Sequence, residues 1–377
     1  MKEIKVGTEN ERDCLVVIRE NSGLKINVDV KVGICKEDIL SLVEERVKAY
    51  DIDNAEIHIK ENGALDHVIK ARLDFALHRF TGKKVKEEAF RREATDRKRP
   101  RRSRLYVPGN NPRLLINAGI FESDCIILDL EDSVPFDQKD SARFLVKEAL
   151  RSLDFGESEI WVRINREFLE EDLEQILLGA PHGVCVPKSE SKDDIKEVEK
   201  IVEKYEKEYG IEEVKFMPII ESARGIVNLE EIAGASERIV AIAFGAEDFT
   251  RDTGGEKSWD SLLYPRSKLV TVAKAFGIQA LDTVYSDIND IDGLIEETRR
   301  IAKMGFDGKG AIHPEQVRYI NECFMPSEEE IEYAKRVMQA IEEAKKKGLG
   351  AVSLDGRMID EPVVKRAERI LRLGGVL

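Results

Sequence analysis

From residue 104 onward, short apolar runs recur with longer, helix-patterned stretches between them. The runs are Leu105-Tyr106-Val107, Cys125-Ile126-Ile127-Leu128, Ile160-Trp161-Val162, Val184-Cys185-Val186, Phe216 to Ile220, Val240 to Phe244, Ala280-Leu281 with Val284, and Ala311-Ile312. A continuous apolar run bounded by polar and glycine residues is the pattern of a strand covered on both faces. Eight such runs separated by helical stretches predict an α/β fold of the (β/α)8 TIM-barrel type over residues 104–322, with residues 323–377 as a C-terminal helical extension. No G-x-G-x-x-G follows the first run, which counts against a dinucleotide fold.

The first 82 residues are patterned differently. Cys14 to Ile18 and Leu24 to Val30 read as two strands joined by the turn Asn21-Ser22-Gly23. A helix begins at Lys36, with Ile39, Leu42, Val43 and Val47 on one face. Ala55 to Lys60 alternates as a half-buried strand does, and a second helix carries Val68, Ile69, Leu73, Leu77 and Phe80. The expectation is a small ββαβα module of the α+β class with no catalytic group of its own, suited to binding, tethering or docking. Residues 83–103 are polar and end in the basic run Arg97-Lys98-Arg99-Pro100-Arg101-Arg102. Such a run reads as a nucleic-acid patch or as a solvated interdomain linker. The acidic balance of the chain favours the linker.

The chain has 377 residues, a formal net charge of −14 and 36% charged residues, the composition of a charged globular protein that repels nucleic acid. No apolar run approaches the roughly 20 residues that span a bilayer. Residues Met1-Lys2-Glu3-Ile4-Lys5 lack the apolar core of a signal peptide, so a cytoplasmic location is expected. Cys14, Cys35, Cys125, Cys185 and Cys323 are scattered, as reduced thiols are. The five histidines show no zinc-ligand spacing.

Candidate chemistry gathers where the apolar runs stop. Phe216 to Ile220 ends in Glu221, and Ala241 to Phe244 is followed by Gly245-Ala246-Glu247-Asp248. Two neighbouring strands ending this way hold Glu221 and Asp248 side by side at one rim of the sheet. Hard carboxylate oxygens without nearby His or Cys suit Mg²⁺ completed by substrate and water. Each acid also suits the start of the helix that follows, where it meets the positive end of the dipole. The remaining strand ends carry Pro108-Gly109-Asn110, Asp129-Leu130-Glu131-Asp132, Arg163, Lys188, Asp282 and His313, a predicted polar mouth. Arg163 has the geometry to fork a substrate carboxylate. Asp129, Glu131 and Asp132 are placed to orient water or to balance cationic side chains. Lys188 is the candidate for a Schiff-base alternative, but Ser189 and Glu190 beside it provide no apolar pocket to lower its pKa.

These motifs carry a resemblance. Leu105 to Pro112, Leu128 to Val134, Val162 to Asn165, Pro187 to Ser191, Glu221 to Gly225, Gly245 to Asp248, Gly308 to Pro314 and Asp355 to Asp360 resemble, in order, the citrate lyase beta subunit of the HpcH/HpaI aldolase/citrate lyase family. The wider family includes malyl-CoA and citramalyl-CoA lyases and related thioesterases. The resemblance implies Glu221 and Asp248 as Mg²⁺ ligands and Arg163 as partner of a substrate carboxylate or oxyanion. It also implies Asp360 as an acid/base reaching a neighbouring subunit's site, with Arg104 and Asn110 near the phosphate-bearing arm of the thioester. The implied reaction is cleavage of a 3-hydroxyacyl thioester into an α-keto acid and a shorter thioester. The alternatives are a malyl-CoA-type thioesterase, or a subunit of a larger complex with an alpha-like partner. Relatives imply a homo-oligomer, a trimer or hexamer.

In the first module, Gly7 to Asp13, Gly63 to Asp66 and Ala71 to Leu77 resemble the acyl carrier (gamma) subunit of citrate lyase. That family attaches a CoA-like arm through a serine two residues before the aspartate. Glu11 stands there, and a carboxylate cannot form the phosphodiester. The module is therefore expected to carry no arm, which favours free CoA esters over a carrier-bound substrate.

Overall fold

The computed structural model describes residues 2–31, 36–346 and 352–376, which leaves Cys35 outside the described residues. The N-terminal module is a four-stranded sheet in the order β1-β2-β4-β3, built from β1 (Glu3–Val6), β2 (Cys14–Arg19), β3 (Leu24–Val30) and β4 (Ala55–Glu61). Two helices, α1 (Lys36–Ala49) and α2 (Asp66–Thr81), complete it. The alternation expected for β4 is present, with Ala55, Ile57 and Ile59 fully buried. The module has one strand more than the sequence reading gave. β1 is a four-residue edge strand that buries only Val6 and pairs antiparallel with β2. Too short and too charged to show a periodicity, it is defined by its partner.

Residues 83–102 form no helix or strand and many of them are exposed, but several are anchored to the barrel. The Phe90 N–H donates to Leu178 O at 2.8 Å. Arg92 donates to Ala180 O at 2.9 Å and to Leu150 O at 2.7 Å. Arg101 is fully buried and pairs with the equally buried Glu159 at 2.7 Å. The basic run belongs largely to the closed end of the barrel, where buried charge must find a partner.

The large domain is a closed parallel barrel in the order β10-β11-β12-β5-β6-β7-β8-β9. Its strands are β5 (Ser103–Pro108), β6 (Cys125–Asp129), β7 (Glu159–Arg163), β8 (Gly183–Val186), β9 (Lys215–Ile220), β10 (Ala241–Phe244), β11 (Gln279–Val284) and β12 (Gly308–Ala311). All eight runs anticipated from the sequence correspond to strands, but the last one lies earlier than Ala311-Ile312. A Cβ on Gly308 would stand 1.9 Å from Arg101 O, so this strand needs glycine to close against the entering chain. Side chains alternate between the barrel interior and the surrounding helices. Ile127, Trp161, Cys185, Met217 and Leu281 fill the inside. Ile126, Leu128, Ile160 and Val162 join the outer layer. The C-terminal extension consists of the helices Glu328–Lys346 and Glu361–Leu373 and a hairpin, β13 (Val352–Leu354) and β14 (Arg357–Ile359), around a separate small core of Ala334, Val337, Ile359, Ala367 and Leu371. Among the described residues no helix is long and apolar enough to cross a membrane.

Candidate active site

The C-terminal ends of the strands surround a cavity of about 370 Å³ lined by Arg104, Tyr106, Asp129, Arg163, Glu221 and Asp248, among others. Glu221 follows directly on β9 and is 5% exposed. Ser222, not Glu221, caps the helix Ala223–Val227, its hydroxyl accepting from Gly225 N–H at 3.1 Å. The helix-start explanation therefore does not account for Glu221. Space for it comes from Gly245, where a Cβ would approach Glu221 Oε2 to 2.6 Å. Asp248 lies in the first turn of the helix Ala246–Thr253, makes no cap, and is ion-paired with the exposed Arg251.

Lys188 ties this wall together. Its φ of +50° is left-handed for a non-glycine residue, a conformation that costs on the order of 1 kcal/mol. That turn aims its backbone N–H at Glu221 Oε1, 2.6 Å away, while its Nζ donates to Glu131 Oε1, also at 2.6 Å. Burial works against the ammonium, but Glu131 outweighs it and holds the group above the ordinary lysine range. A Schiff-base lysine needs the opposite shift.

Beside this wall, at the end of β7, Arg163 shares Glu131 with Lys188. Its Nε and Nη2 donate to the two oxygens of Asp129, each at 2.6 Å, and its Nη1 lies 2.8 Å from Glu131 Oε2. The guanidinium also lies over the Tyr106 ring, 5.4 Å from its centre. Burial alone would raise the Asp129 carboxyl, but Arg163 reverses this and holds it below its usual range. Glu221 has no such partner. Burial, followed by the neighbouring charges of Glu131 and Asp248, pushes it up to about 8. Burial likewise raises Glu131. Carboxylates crowded in this way favour either a proton or a bound cation. Glu221 and Asp248 therefore fit a hard divalent ion that substrate oxygens and water would complete. The tightest acidic trio among the described residues lies elsewhere, at Asp74, Glu87 and Glu148, and Lys147 already sits within it.

Not every residue expected in the mouth is there. Asp282 is fully buried on β11, held by Arg266 at 2.9 Å and Lys309 at 3.1 Å. His313 caps the helix Pro314–Phe324, accepting from Glu315 N–H at 3.3 Å. Asp360 caps the helix Glu361–Leu373, accepting from Val363 N–H at 3.3 Å, and does not line the cavity of its own chain. Asn110 and Glu11 line a second, adjacent groove. Arg104 is 1% exposed inside the barrel, at the cavity floor rather than out where a phosphate-bearing arm would pass. Tyr106 was missed by the sequence reading. Leu105 and Val107 pack outward, so simple alternation already puts Arg104 and Tyr106 together on the inner face.

The closed barrel and its anionic, cation-seeking mouth define a TIM-barrel enzyme. Residues 102–314 match the family model described as HpcH/HpaI aldolase/citrate lyase, and the chain belongs to that family. Residues 1–80 match an ACP model described as malonate decarboxylase delta subunit (MdcD). The chain is 44% identical over 282 residues to the citrate lyase subunit beta of Leuconostoc mesenteroides subsp. cremoris, covering 73% of this chain and 93% of the relative. It is 36% identical over 290 residues to the mitochondrial citramalyl-CoA lyase of Homo sapiens, covering 73% and 85%. Among solved structures, the CitE protein of Mycobacterium tuberculosis in complex with magnesium, acetoacetate and coenzyme A superposes with a TM-score of 0.60 at 32% identity, covering 74% of this chain and 99% of that one.

Proposed function

We propose that this protein is a Mg²⁺-dependent carbon–carbon lyase acting on a 3-hydroxyacyl-CoA ester of the citryl, citramalyl or malyl type. The observation that carries this reading is the placement of Glu221, buried and pushed up to about 8, in the same small cavity as the guanidinium of Arg163 that Asp129 holds. Glu221 and Asp248 would hold the Mg²⁺, which when bound supplies Lewis-acid polarisation and neutralises the carboxylates.

The chain's own groups do the rest. Arg163, locked by Asp129 and backed by Tyr106, would exchange the Glu131 contact of its Nη1 edge for a substrate carboxylate or developing oxyanion. Arg104, on the cavity floor, places a second positive charge under the acyl end. A base takes the substrate hydroxyl proton, and the C–C bond breaks as the new carbonyl forms. The electron pair passes to the thioester as an enolate, and a proton returned to its α-carbon completes the reaction. Asp360 is our candidate for the acid/base. Because it does not line the cavity of its own chain, it would act in a neighbouring copy, which makes a homo-oligomer part of the proposal.

Glu11 in place of an attachable serine favours free CoA esters. An alpha-like partner subunit remains a proposal for co-purification to test. The buried thiols of Cys14, Cys125 and Cys185 fit a reducing, cytoplasmic setting. The test is incubation with Mg²⁺ and, separately, citryl-CoA, (R)- and (S)-citramalyl-CoA and malyl-CoA, with products identified by mass spectrometry. An α-keto acid plus a shortened acyl-CoA, lost with EDTA, is the expected result. Free CoA with an intact hydroxy acid would instead identify a thioesterase.

A further inference from the structure

Among the described residues, five cationic side chains are fully buried: Arg101, Arg104, Lys147, Arg266 and Lys309. Four of them pair with a carboxylate. Arg101 meets Glu159 at 2.7 Å, Lys147 meets Glu87 at 2.7 Å, Arg266 meets Asp282 at 2.9 Å and Lys309 meets Glu297 at 2.6 Å. Arg104 pairs with none of the described carboxylates. Its Nη2 donates to the carbonyl oxygen of Asp282, its Nη1 meets the Met217 sulfur at 3.7 Å, and its Nε has no partner. A guanidinium taken out of water without a counter-charge is costly. Other inward positions of the barrel hold apolar side chains, such as Ile127, Met217 and Leu281.

The barrel makes room for this cation without neutralising it. Register puts Gly310 of β12 beside Arg104 of β5. A Cβ on Gly310 would come within 2.7 Å of Val284 and 3.4 Å of the Tyr106 ring, so β12 sends no side chain inward at this level. On the other side stands Cys125 of β6, which is small and uncharged at this depth. The guanidinium lines the floor of the cavity that also holds Arg163, Glu221 and Asp248. A counter-charge for Arg104 therefore comes from a group that enters the cavity.

We propose that Arg104 is a specificity residue that receives a second substrate carboxylate, beyond the one next to the reacting hydroxyl; the proposal rests on the CoA-ester lyase reading above. On that reading Glu221, Asp248 and Arg163 already provide for the hydroxyl and its neighbouring carboxylate. Arg104 then selects the citryl type of ester, whose leaving keto acid is a dicarboxylate. A guanidinium suits this task, because its planar set of donors matches both oxygens of a carboxylate. A citramalyl ester has a methyl group where the citryl ester has its carboxymethyl arm, and a malyl ester has a hydrogen. Either would leave Arg104 buried and unpaired. Leaving a buried polar group unpaired rejects the wrong substrate far more strongly than a difference in apolar fit does.

The test compares the full-length protein with Arg104→Met, which keeps an unbranched side chain but removes the charge. The kcat/KM is measured with citryl-CoA, citramalyl-CoA and malyl-CoA. The wild-type protein should prefer citryl-CoA, and in the variant the citryl-to-malyl ratio of kcat/KM should fall about a hundredfold. An equal loss on all three esters would assign Arg104 to the shared chemistry and overturns the proposal. So does an unchanged ratio, or a wild-type preference for the malyl ester. The ligand-free variant should unfold at the wild-type temperature or above, since an unpaired buried charge is gone; Arg104→Gln replaces it if it does not fold. If the wild-type protein cleaves no ester, the lyase reading has failed, and calorimetric titration with oxaloacetate and with pyruvate still decides Arg104. Oxaloacetate binding at least about tenfold tighter than pyruvate, with the difference lost in the variant, supports the proposal. Absent or equal binding, or a difference that the variant keeps, overturns it.

Discussion

Asp129 grips Arg163 with both carboxylate oxygens, each 2.6 Å from a guanidinium nitrogen. This fork fixes the cation before any substrate arrives and leaves Nη1 directed toward Glu131. Asp129→Asn keeps the shape but removes the charge and one acceptor. We expect kcat/KM to fall about 10²–10³-fold, the usual effect of losing a preorganised electrostatic contact. Steady-state kinetics check this, and a variant within threefold of wild type would show that Arg163 needs no such support.

Glu221→Gln imitates the protonated carboxyl that burial already favours in the metal-free protein. The variant should therefore unfold at the wild-type temperature or above when EDTA is present. Wild type should gain about 2.7 kcal/mol at a Mg²⁺ concentration a hundredfold above its Kd, and the variant should gain none. Thermal unfolding with and without Mg²⁺ reads this out, and an equal Mg²⁺ response in both proteins would remove Glu221 from the metal site.

Arg101→Ala strips the cation from the fully buried Glu159. A loss of about 3–5 kcal/mol is expected, because the carboxylate stays behind unpaired. Urea denaturation measures it. The double variant Arg101→Met/Glu159→Leu should recover most of that loss, since the buried charge then goes too.

His182 accepts a hydrogen bond from Ile160 N–H on Nδ1 at 2.8 Å, and burial, with the nearby Arg92, lowers its pKa to about 4 from an ordinary value of 6.5. Between these values the unfolded chain binds the extra proton, so stability is present above pH 6.5 and falls as pH drops toward 4. Burial also lowers His67 to about 4, which acts in the same direction. The buried Asp74, raised to about 6 by desolvation, acts in the opposite one. Comparing His182→Gln with wild type isolates one group: the difference in stability between them should change across pH 4–6.5 and stay flat above it. A pH-independent difference would show that His182 titrates normally in the folded protein.

The sequence by itself determined the barrel, because each strand needs a short apolar run and the eight runs are local features of the chain. It also located Glu221 and Arg163 at strand ends and Asp248 shortly beyond one, since the change from apolar to charged residues marks where a buried strand emerges. It did not determine which strand-end groups share the mouth. Asp282 and His313 read like Glu221 in the sequence, but Arg266 and Lys309 claim one and a helix start claims the other. The barrel order sets β5, β6 and β7 side by side, so Arg101, just before β5, and Glu159, at the start of β7 and 58 positions away, meet as a buried pair. Docking of the module on the barrel set the seam through Arg72, Ser141 and Asn110. Periodicity records which face of an element is buried. The partner that a buried charge finds depends on closure of the sheet and docking of the module, which only the tertiary structure decided.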